Sequence, residues 1–363
     1  MSLTKSRSPT LNVRKLIDHS LSVTHVRSRA PLRLGLAGGG TDVSPYADTY
    51  GGCVLNATIN MFAQTSIRVR DDGRVKFSAT DLCEEYEFAA GVDAPADCPL
   101  VLHRAVYRRI VKQFLGGAPL PVTVTTASDA PSGSGLGSSS TLVVSMIDAY
   151  RELLALPLGE YDIAQLAYEI ERIDAGQAGG KQDQYAAAFG GINFLEFGAG
   201  SAIVNPLRIR NATLHELESM LVLYFTGISR QSSKIIAQQA AALRRDHEDN
   251  LAAMHGIREN AIAMKNALLR NELIEMAEIM ASSWEAKKRS AAGITNDEID
   301  RVYEVAKSAG AYSGKVSGAG GGGFMFFMVD PLRRPAVIKA LSKEPGLVAT
   351  TSFCAKGSHA WRA

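Results

Sequence analysis

A glycine- and serine-rich segment at residues 131–140 (PSGSGLGSSS) carries the clearest chemical signal in the sequence. It lies between a β-branched stretch that predicts a strand and a long apolar stretch that predicts a helix. Its glycines allow backbone N–H groups to turn toward a ligand, and its serines are typical caps of a helix start, which favours negative charge. We therefore interpret this segment as a phosphate-binding loop. A flexible loop with a good helix cap is the alternative.

Two common nucleotide-binding patterns do not match this segment. A Walker A loop carries a lysine before its Ser/Thr position, and none is present here. A dinucleotide-binding turn requires an acidic residue about twenty positions downstream in a βαβ unit. Asp148 instead falls inside the predicted helix.

Two further glycine-rich loops could also approach a ligand. Residues 38–42 (GGGTD) follow a predicted strand, and their acid suggests a ligand with hydroxyl groups. A hairpin turn in which Asp42 caps a helix is the alternative. Residues 315–323 (KVSGAGGGG) contain four consecutive glycines, which are entropically costly to order. A loop of this kind usually approaches another loop or a ligand closely, with a loose surface turn as the alternative.

Two acidic residues between these loops are candidates for chemistry. Asp183 lies between a Gly-Gly pair and three alanines, where a carboxylate could be held close to a ligand. Glu171 lies at the end of a predicted helix. A single acidic residue is usually a surface charge. Only the glycine-rich loops around these two residues support a functional role.

The predicted elements place these loops in a mixed α+β chain of 363 residues, a length that favours two domains. The early strands are predicted to form an antiparallel meander, and a domain boundary is expected near residues 206–214. Residues 1–27 are predicted to be a polar N-terminal extension. The predicted strands are at 32–36, 65–70, 75–79, 85–88, 121–126, 192–197, 202–209, 221–225 and 324–329. The predicted helices are at 100–115, 139–154 and 163–173, with three or four more between 233 and 308.

Composition argues against several classes of protein. A net charge of +2 is too small to indicate a nucleic-acid-binding surface. The four cysteines are scattered without a CxxC pair, which disfavours a zinc site or a disulfide framework. No stretch approaches the roughly 20 apolar residues that span a bilayer. We therefore expect a cytoplasmic protein with no membrane and no nucleic-acid partner.

The three loops, in this order, resemble the motifs of the GHMP kinase superfamily, named for galactokinase, homoserine kinase, mevalonate kinase and phosphomevalonate kinase. Residues 131–140 are similar to its second motif, P-x-x-x-G-L-G-S-S-[AS], and residues 315–323 are similar to its third. The resemblance covers nearly the whole chain from residue 28. Within the superfamily, the chain looks most like the bacterial D-glycero-D-manno-heptose 7-phosphate kinases. The segments that carry this narrower resemblance are 29–33, 37–42, 51–59, 180–185, 226–230 and 232–233.

The resemblance implies a fold and an activity. The fold would be α+β, with an N-terminal α/β domain at 28–210, similar to one in ribosomal proteins, and a C-terminal ferredoxin-like α+β domain at 211–363. The active site would lie in the cleft between them. The activity would be ATP- and Mg²⁺-dependent phosphorylation of the anomeric (C1) hydroxyl of a heptose 7-phosphate. A kinase of an unphosphorylated sugar such as fucose and an inactive sugar and ATP sensor are the alternatives, and a homo-oligomer stays open.

The resemblance also implies roles for individual residues. Asp183 would act on the attacking hydroxyl, as a general base or as an orienting group, beside Arg33. Mevalonate kinases carry a lysine where this chain has Arg33, and this difference favours a sugar substrate. Ser139 and Glu171 would hold Mg²⁺. The other implied contacts are Gly133, Gly135, Leu136, Gly137, Ser138, Ser139 and Ser140 for the ATP phosphates, Asp42, Gly39, Gly40, Thr41, Gly180 and Lys181 for the sugar, and Gly318, Gly320, Gly321 and Gly322 in the third loop.

A substrate that carries its own phosphate needs a second anion site. Our candidates are Arg230, Ser232, Ser233 and Lys234. A serine-rich turn that opens a helix offers N–H groups, and an arginine offers a fork for phosphate. A capped helix with exposed basic residues is the alternative, and Lys181 is a competing candidate.

Overall fold

The structure is a computed structural model, and it describes residues 24–227, 247–290 and 293–363. Within these residues the chain forms two β-sheets, one of eight strands and one of four. The strands are β1 (His25–Ala37), β2 (Gly52–Val69), β3 (Arg74–Ala79), β4 (Glu84–Ala89), β5 (Val122–Ser128), β6 (Ile192–Gly198), β7 (Ser201–Pro206), β8 (Leu221–Phe225), β9 (Ala311–Val316), β10 (Phe324–Val329), β11 (Leu347–Ala349) and β12 (His359–Arg362).

Strands from both ends of the described chain form the larger sheet. Its order is β12-β1-β2-β5-β3-β4, while β6 pairs with the first part of β2, and β7 pairs with β6. The first eight residues of β2, at 52–59, are all buried. A stretch buried on both faces lacks the alternation of polar and apolar residues that marks a half-exposed strand. The sequence pattern therefore predicts only the end of β2, at 65–70.

The predicted antiparallel meander is correct for β3 and β4, which pair antiparallel. It is wrong for β2 and β3, which are separated by β5. This strand lies between β2 and β3, and it runs antiparallel to β2 but parallel to β3. Because parallel neighbours need a long crossover connection, the chain passes through β4 and a helix before it returns as β5. Alternating hydrophobicity identifies a strand but does not identify its neighbours.

The smaller sheet is antiparallel, in the order β11-β8-β10-β9. All six residues of β10 are buried. Phe324, Phe326 and Met328 pack into one apolar core, and the three residues that alternate with them pack into another. This division follows from the pleat of a strand, whose successive side chains point to opposite faces. The sheet is therefore covered on both sides.

Helices pack against both sheets. Val106 and Ile110, on the predicted apolar face of the helix at 100–115, are fully buried. The helix predicted at 163–173 instead ends at Glu169 and continues as a single π-helical turn, Ile170–Asp174. No helix in the described parts of the chain is both long and apolar enough to span a membrane. The helices are α1 (Tyr46–Tyr50), α2 (Val101–Phe114), α3 (Ser138–Leu154), α4 (Glu160–Glu169), α5 (Gln182–Phe189), α6 (Asn211–Met220), α7 (His247–Arg270), α8 (Leu273–Ser290), α9 (Asp297–Ala309) and α10 (Arg334–Leu341).

One apolar core joins the two sheets. It contains Leu32 of β1, Leu136 of the phosphate-binding loop, Met280 of α8 and Phe326 of β10, all fully buried. The division of the chain at residue 210 stays a prediction. The strand β12, far beyond that position in the chain, pairs with β1 in the larger sheet.

Candidate active site

A cleft of about 700 Å³ lies where the three glycine-rich loops meet. Its wall is formed by the first loop at 38–42, the phosphate-binding loop at 131–140, the segment 171–183 and the beginning of the third loop at 315–323. Residues far apart in the sequence therefore face one concave space of a size suited to small ligands.

The phosphate-binding loop connects β5 to α3. Gly133, Gly135 and Gly137 have positive φ angles of 76°, 82° and 79°. Alternation of this left-handed conformation turns backbone N–H groups toward a common concave side, which suits an anion. Gly137 occupies the cap position of α3, where no side chain bonds to the first helical turn. The N-terminus of α3 therefore faces the cleft with its partial positive charge uncapped by a side chain.

The serines that follow bond to other side chains, so the prediction that they cap α3 is wrong. Ser138 Oγ lies 3.0 Å from Ser134 Oγ. Ser139 donates a hydrogen bond to one carboxylate oxygen of Glu171, and Ser140 donates to the other at 2.6 Å. Glu171 is buried in the π-helical turn, a deviation that often marks functional sites. A carboxylate and a hydroxyl thus lie side by side at the start of α3.

Glu171 has two further partners, one in α5 and one next to it in the π-helical turn. Gln184 donates to it at 2.7 Å, and an Arg172 guanidinium nitrogen lies 3.3 Å from it. Arg172 also donates to the carbonyl oxygen of Gly180 at 3.2 Å. This arginine connects the carboxylate beside the phosphate-binding loop to the turn that precedes α5.

The buried Arg33 and the partly exposed Asp183 form an ion pair in the cleft. Arg33 Nε and Nη2 lie 2.7 and 2.5 Å from the same carboxylate oxygen, Oδ1. Its Nη1 donates to the carbonyl oxygen of Gly135 at 2.6 Å. The other carboxylate oxygen, Oδ2, would lie 3.2 Å from a Cβ built on Gly137. Asp183 therefore faces the phosphate-binding loop with its orientation fixed by Arg33.

Asp42 supports the start of α5. It accepts hydrogen bonds from the backbone N–H of Gln182 at 3.0 Å, from its side-chain amide at 3.2 Å and from the N–H of Gly40 at 3.1 Å. Burial raises the pKa of Asp42, and the negative charge of the nearby Asp183 raises it further. The hydrogen bonds from backbone N–H groups oppose this rise. A Cβ on Gly180 would lie 1.9 Å from Asp42 Oδ2. Only glycine fits there.

The third loop packs directly on the phosphate-binding loop. Ser317 Oγ donates to the carbonyl oxygen of Gly135 at 3.0 Å. The N–H of Phe324 donates to the carbonyl oxygen of Ser134 at 2.7 Å. A Cβ on Gly318 would lie 2.8 Å from the Cα of Gly135. A Cβ on Gly323, the last of the four consecutive glycines, would lie 2.3 Å from the Ser134 carbonyl oxygen. Glycines of the third loop therefore permit a close approach between the two loops, as their cost of ordering suggests.

Only the beginning of the third loop lines the cleft, through Lys315, Gly318 and Ala319. Gly321 donates its N–H to the carbonyl oxygen of Ile294 at 2.8 Å, and a Cβ on Gly320 would lie 2.8 Å from the same oxygen. Gly322 follows them in the chain. These glycines hold the loop against the segment before α9.

Three other predicted contact residues are not brought to the cleft. Leu136 is fully buried in the shared apolar core. Thr41 is also fully buried, and its hydroxyl lies 2.8 and 2.9 Å from two backbone carbonyl oxygens. The Lys181 ammonium lies 5.4 Å from the centre of the Tyr168 ring. The candidates for the second anion site, Arg230, Ser232, Ser233 and Lys234, lie outside the described residues.

Two buried lysines line the cleft and were missed as site residues. Lys315 Nζ donates to the carbonyl oxygens of Gly35 and Leu36, both at 3.1 Å. Lys287 Nζ donates to the carbonyl oxygen of Gly318. A signal for Lys287 exists in its spacing, since it follows Met280 and Trp284 on the buried face of α8. A lysine on an apolar helix face is unusual and indicates a specific role.

Comparisons with known proteins agree with this architecture. The chain matches the family model for the GHMP kinases N terminal domain at residues 101–191 and the one for the GHMP kinases C terminal at residues 264–346. It is 50% identical to a D-glycero-alpha-D-manno-heptose 7-phosphate kinase from Campylobacter jejuni. The 338 aligned residues cover 93% of this chain and 99% of that relative.

A solved structure and a second relative of lower identity are also similar to this chain. The crystal structure of a D-glycero-D-manno-heptose 1-phosphate kinase from Bacteroides thetaiotaomicron matches with a TM-score of 0.79 at 44% identity, over 93% of this chain and 99% of that one. An L-fucokinase/L-fucose-1-P guanylyltransferase from Bacteroides fragilis is 26% identical over 88% of this chain and 36% of its own length. With half of the residues identical along nearly an entire relative, the chain belongs to the GHMP kinase family.

Proposed function

We propose that this chain transfers the γ-phosphoryl group of ATP to the anomeric (C1) hydroxyl of D-glycero-D-manno-heptose 7-phosphate, which gives the 1,7-bisphosphate. The observation that carries the kinase assignment is the Asp183 carboxylate, which Arg33 holds toward the phosphate-binding loop at the N-terminus of α3. The choice of heptose 7-phosphate is supported by the 50% identity to the Campylobacter jejuni relative. Kinases of this family use ATP, so ATP is the expected phosphoryl donor.

The reaction needs an acceptor hydroxyl between Asp183 and the terminal phosphate. Because Arg33 occupies Oδ1, the acceptor hydroxyl donates to Oδ2, which is the oxygen nearer the phosphate-binding loop. The hydroxyl oxygen then forms a bond to the γ-phosphorus as the bond to the bridging oxygen of ADP breaks, and its proton passes to Asp183. Positioning and charge stabilisation supply most of the rate in such transfers.

The residues at the start of α3 fit Mg²⁺. Ser139 and Glu171 present a hydroxyl and a carboxylate, the hard oxygen ligands that Mg²⁺ prefers, beside the place where the ATP phosphates would lie. When bound, Mg²⁺ neutralises charge on the β- and γ-phosphates. Ser140 and Gln184 hold Glu171 from the other side, so they orient this carboxylate for the metal.

The product suggests a place in carbohydrate metabolism. A sugar 1,7-bisphosphate can lose one phosphate and be joined to a nucleotide, which activates the sugar for capsule or lipopolysaccharide synthesis. We infer a cytoplasmic location, where ATP is supplied, and we infer that the partners of the protein are small molecules.

The test is ATP turnover with a panel of acceptors: heptose 7-phosphate, the unphosphorylated heptose, L-fucose, galactose and mevalonate. We expect the highest kcat/KM for heptose 7-phosphate. We also expect ³¹P NMR to locate the new phosphate at C1 of the product. Preference for L-fucose would replace the proposal with the fucokinase alternative. Tight ATP binding with no turnover on any acceptor would favour an inactive sensor.

A further inference from the structure

Three cationic side chains converge inside the cleft. Arg33, Lys287 and Lys315 are 3%, 5% and 3% exposed, and all three line the same space. Placing one charge in such an environment is unfavourable without a partner, and placing three together adds their mutual repulsion. The cluster therefore needs compensating negative charge.

The described side chains supply only part of that charge. Asp183 pairs with Arg33, while the hydrogen-bond acceptors of the two lysines are carbonyl oxygens. Within the described parts of the chain, neither lysine lies within ion-pair distance of a carboxylate. Burial lowers the pKa of Lys287 to about 8, with Arg33 adding to the shift and Asp42 opposing it. Burial also lowers the pKa of Lys315, well below its ordinary value, and Lys287 and Arg33 add to that shift.

Lys287 is the lysine that can reach a ligand. Lys315 is anchored by two carbonyl oxygens of β1, both at 3.1 Å. Lys287 extends from α8 to the carbonyl oxygen of Gly318, and its Nζ would lie 4.0 Å from a Cβ built on Gly39 of the first loop. Its ammonium thus lies between the third loop, which packs on the phosphate-binding loop, and the first loop, which borders the expected sugar position.

We propose that Lys287 donates to a phosphate oxygen of a bound substrate, as a binding residue contributed by α8. The inference rests on the proposed function, because that reaction brings phosphate groups into the cleft from two sources. One is the γ-phosphoryl group of ATP, and the other is the phosphate that the heptose itself carries. Both are strongly anionic oxygen groups, which a lysine ammonium binds as a compact point charge.

The test compares Lys287→Met and Lys287→Arg with Lys288→Met. Lys288 is a matched control because it is adjacent in α8 but pairs with Glu285 at 2.6 Å. We expect Lys287→Met to lower kcat/KM by about 100-fold, as loss of one charged group around a reacting centre typically does. Lys287→Arg should restore much of the loss. Lys288→Met should stay within about twofold of the unaltered protein, because Lys288 does not line the cleft.

Direct binding measurements identify which phosphate is bound. If Lys287 contacts the γ-phosphoryl group, Lys287→Met weakens binding of the ATP analogue AMP-PNP more than binding of ADP, or kcat falls with every acceptor. If it contacts the phosphate of the sugar, nucleotide binding is unchanged, and heptose 7-phosphate binds more weakly in titrations with AMP-PNP present. A folded Lys287→Met protein with all of these values within about twofold of the unaltered protein would overturn the proposal.

Titration of the two nucleotides needs no acceptor, so it separates this proposal from the choice of heptose 7-phosphate. If the panel selects another sugar, the kinetic comparison is made with that sugar. Weaker AMP-PNP binding in Lys287→Met would then support the role of Lys287 although the proposed acceptor had failed. Circular dichroism and the melting temperature of each variant establish that the comparison is between folded proteins.

The pH dependence gives a second readout. Lys287 is protonated in the free protein below a pKa of about 8, and a bound phosphate raises that pKa. Affinity for the phosphate ligand should therefore be highest below pH 8 and should fall as the pH rises above it. Arginine stays protonated, so Lys287→Arg should lack this component. Arg33, Lys315 and Asp42 face the same space in both proteins, so only the difference between their two pH profiles of affinity reports the titration of Lys287. Superimposable pH profiles would contradict the proposal.

Discussion

Arg33 makes two contacts, at 2.7 and 2.5 Å, to one oxygen of Asp183, so the two oxygens of this carboxylate have different tasks. Oδ1 is held by the guanidinium, and Oδ2 is directed toward the phosphate-binding loop. Arg33 is in turn fixed by its bond to the Gly135 carbonyl oxygen. The orientation of the proposed base therefore depends on the same loop that is proposed to hold the nucleotide.

Replacement of Asp183 by asparagine tests this arrangement. An amide oxygen can still accept from Arg33, but the group cannot take up a proton at neutral pH. We expect kcat to fall by about 10³-fold, within the range for loss of a general base, with ATP affinity unchanged. The assay is steady-state turnover with nucleotide binding by calorimetry. Asp72→Asn is the control, since Asp72 pairs with Arg70 in a turn between β2 and β3; a kcat for Asp183→Asn equal to that of the control would remove the assigned role.

At this scale the sequence identifies residues that belong to recognisable loops and misses those that reach the cleft from a regular helix. Arg33, Glu171 and Asp183 could be singled out because three glycine-rich loops surround them. Lys287 was missed because a lysine in a helix is normally exposed. Its spacing from Met280 and Trp284, on the buried face of α8, is the signal that distinguishes it from Lys288. Thr41 was wrongly placed at the cleft, since a threonine next to an acid can face either a ligand or the backbone.

At the scale of structural elements, the geometry of the site depends on how its loops pack on each other. The third loop reaches the phosphate-binding loop through backbone contacts, so side chains are excluded at their point of closest approach. A Cβ on Gly135 would lie 2.3 Å from the carbonyl oxygen of Ser317. Small changes at this contact are therefore transmitted to the position of the N–H groups that face the phosphates.

Gly135→Ala tests this contact against Gly117→Ala. Both glycines have φ angles in the left-handed region, 82° and 88°, but a Cβ on Gly117 would meet nothing within 4 Å. Each alanine should cost about 1–2 kcal/mol of unfolding free energy from its backbone conformation. Only Gly135→Ala should also weaken ATP binding, because the third loop must move away. The measurements are thermal unfolding and ATP titration, and equal ATP affinities in the two variants would contradict the loop contact.

Some element boundaries follow from the sequence, whereas element neighbours do not. The strands at 221–225 and 324–329 occur as predicted, and α3 begins one residue before its predicted start. The place of β5 between β2 and β3 depends on a crossover that brings distant segments together. No local pattern in β5 encodes that choice. The π-helical turn that carries Glu171 likewise interrupts a segment whose apolar spacing predicts an uninterrupted helix.

At the scale of the whole molecule, the shared apolar core makes the two sheets depend on each other. Residues of β1, the phosphate-binding loop, α8 and β10 pack in one cluster. A division into two domains by sequence suggests two folding units, but a core common to both favours one cooperative unit.

We therefore expect a single unfolding transition in calorimetry, with equal calorimetric and van't Hoff enthalpies. Met280→Ala, in the shared core, should destabilise that one transition by about 2–5 kcal/mol without splitting it. Leu332→Ala is the control, because Leu332 is 90% exposed. Two separable transitions in the unaltered protein or in Met280→Ala would show that the sheets unfold independently.

The pairing of β12 with β1 has a consequence for how the protein is made. During translation, β1 leaves the ribosome first among the described strands, and β12 leaves after all the others. Until then one edge of the larger sheet has unpaired N–H and C=O groups, and such an edge can pair with another nascent chain. Completion of the sheet is therefore a late event, and the ribosome-bound protein is the form in which we expect chaperone binding to β1.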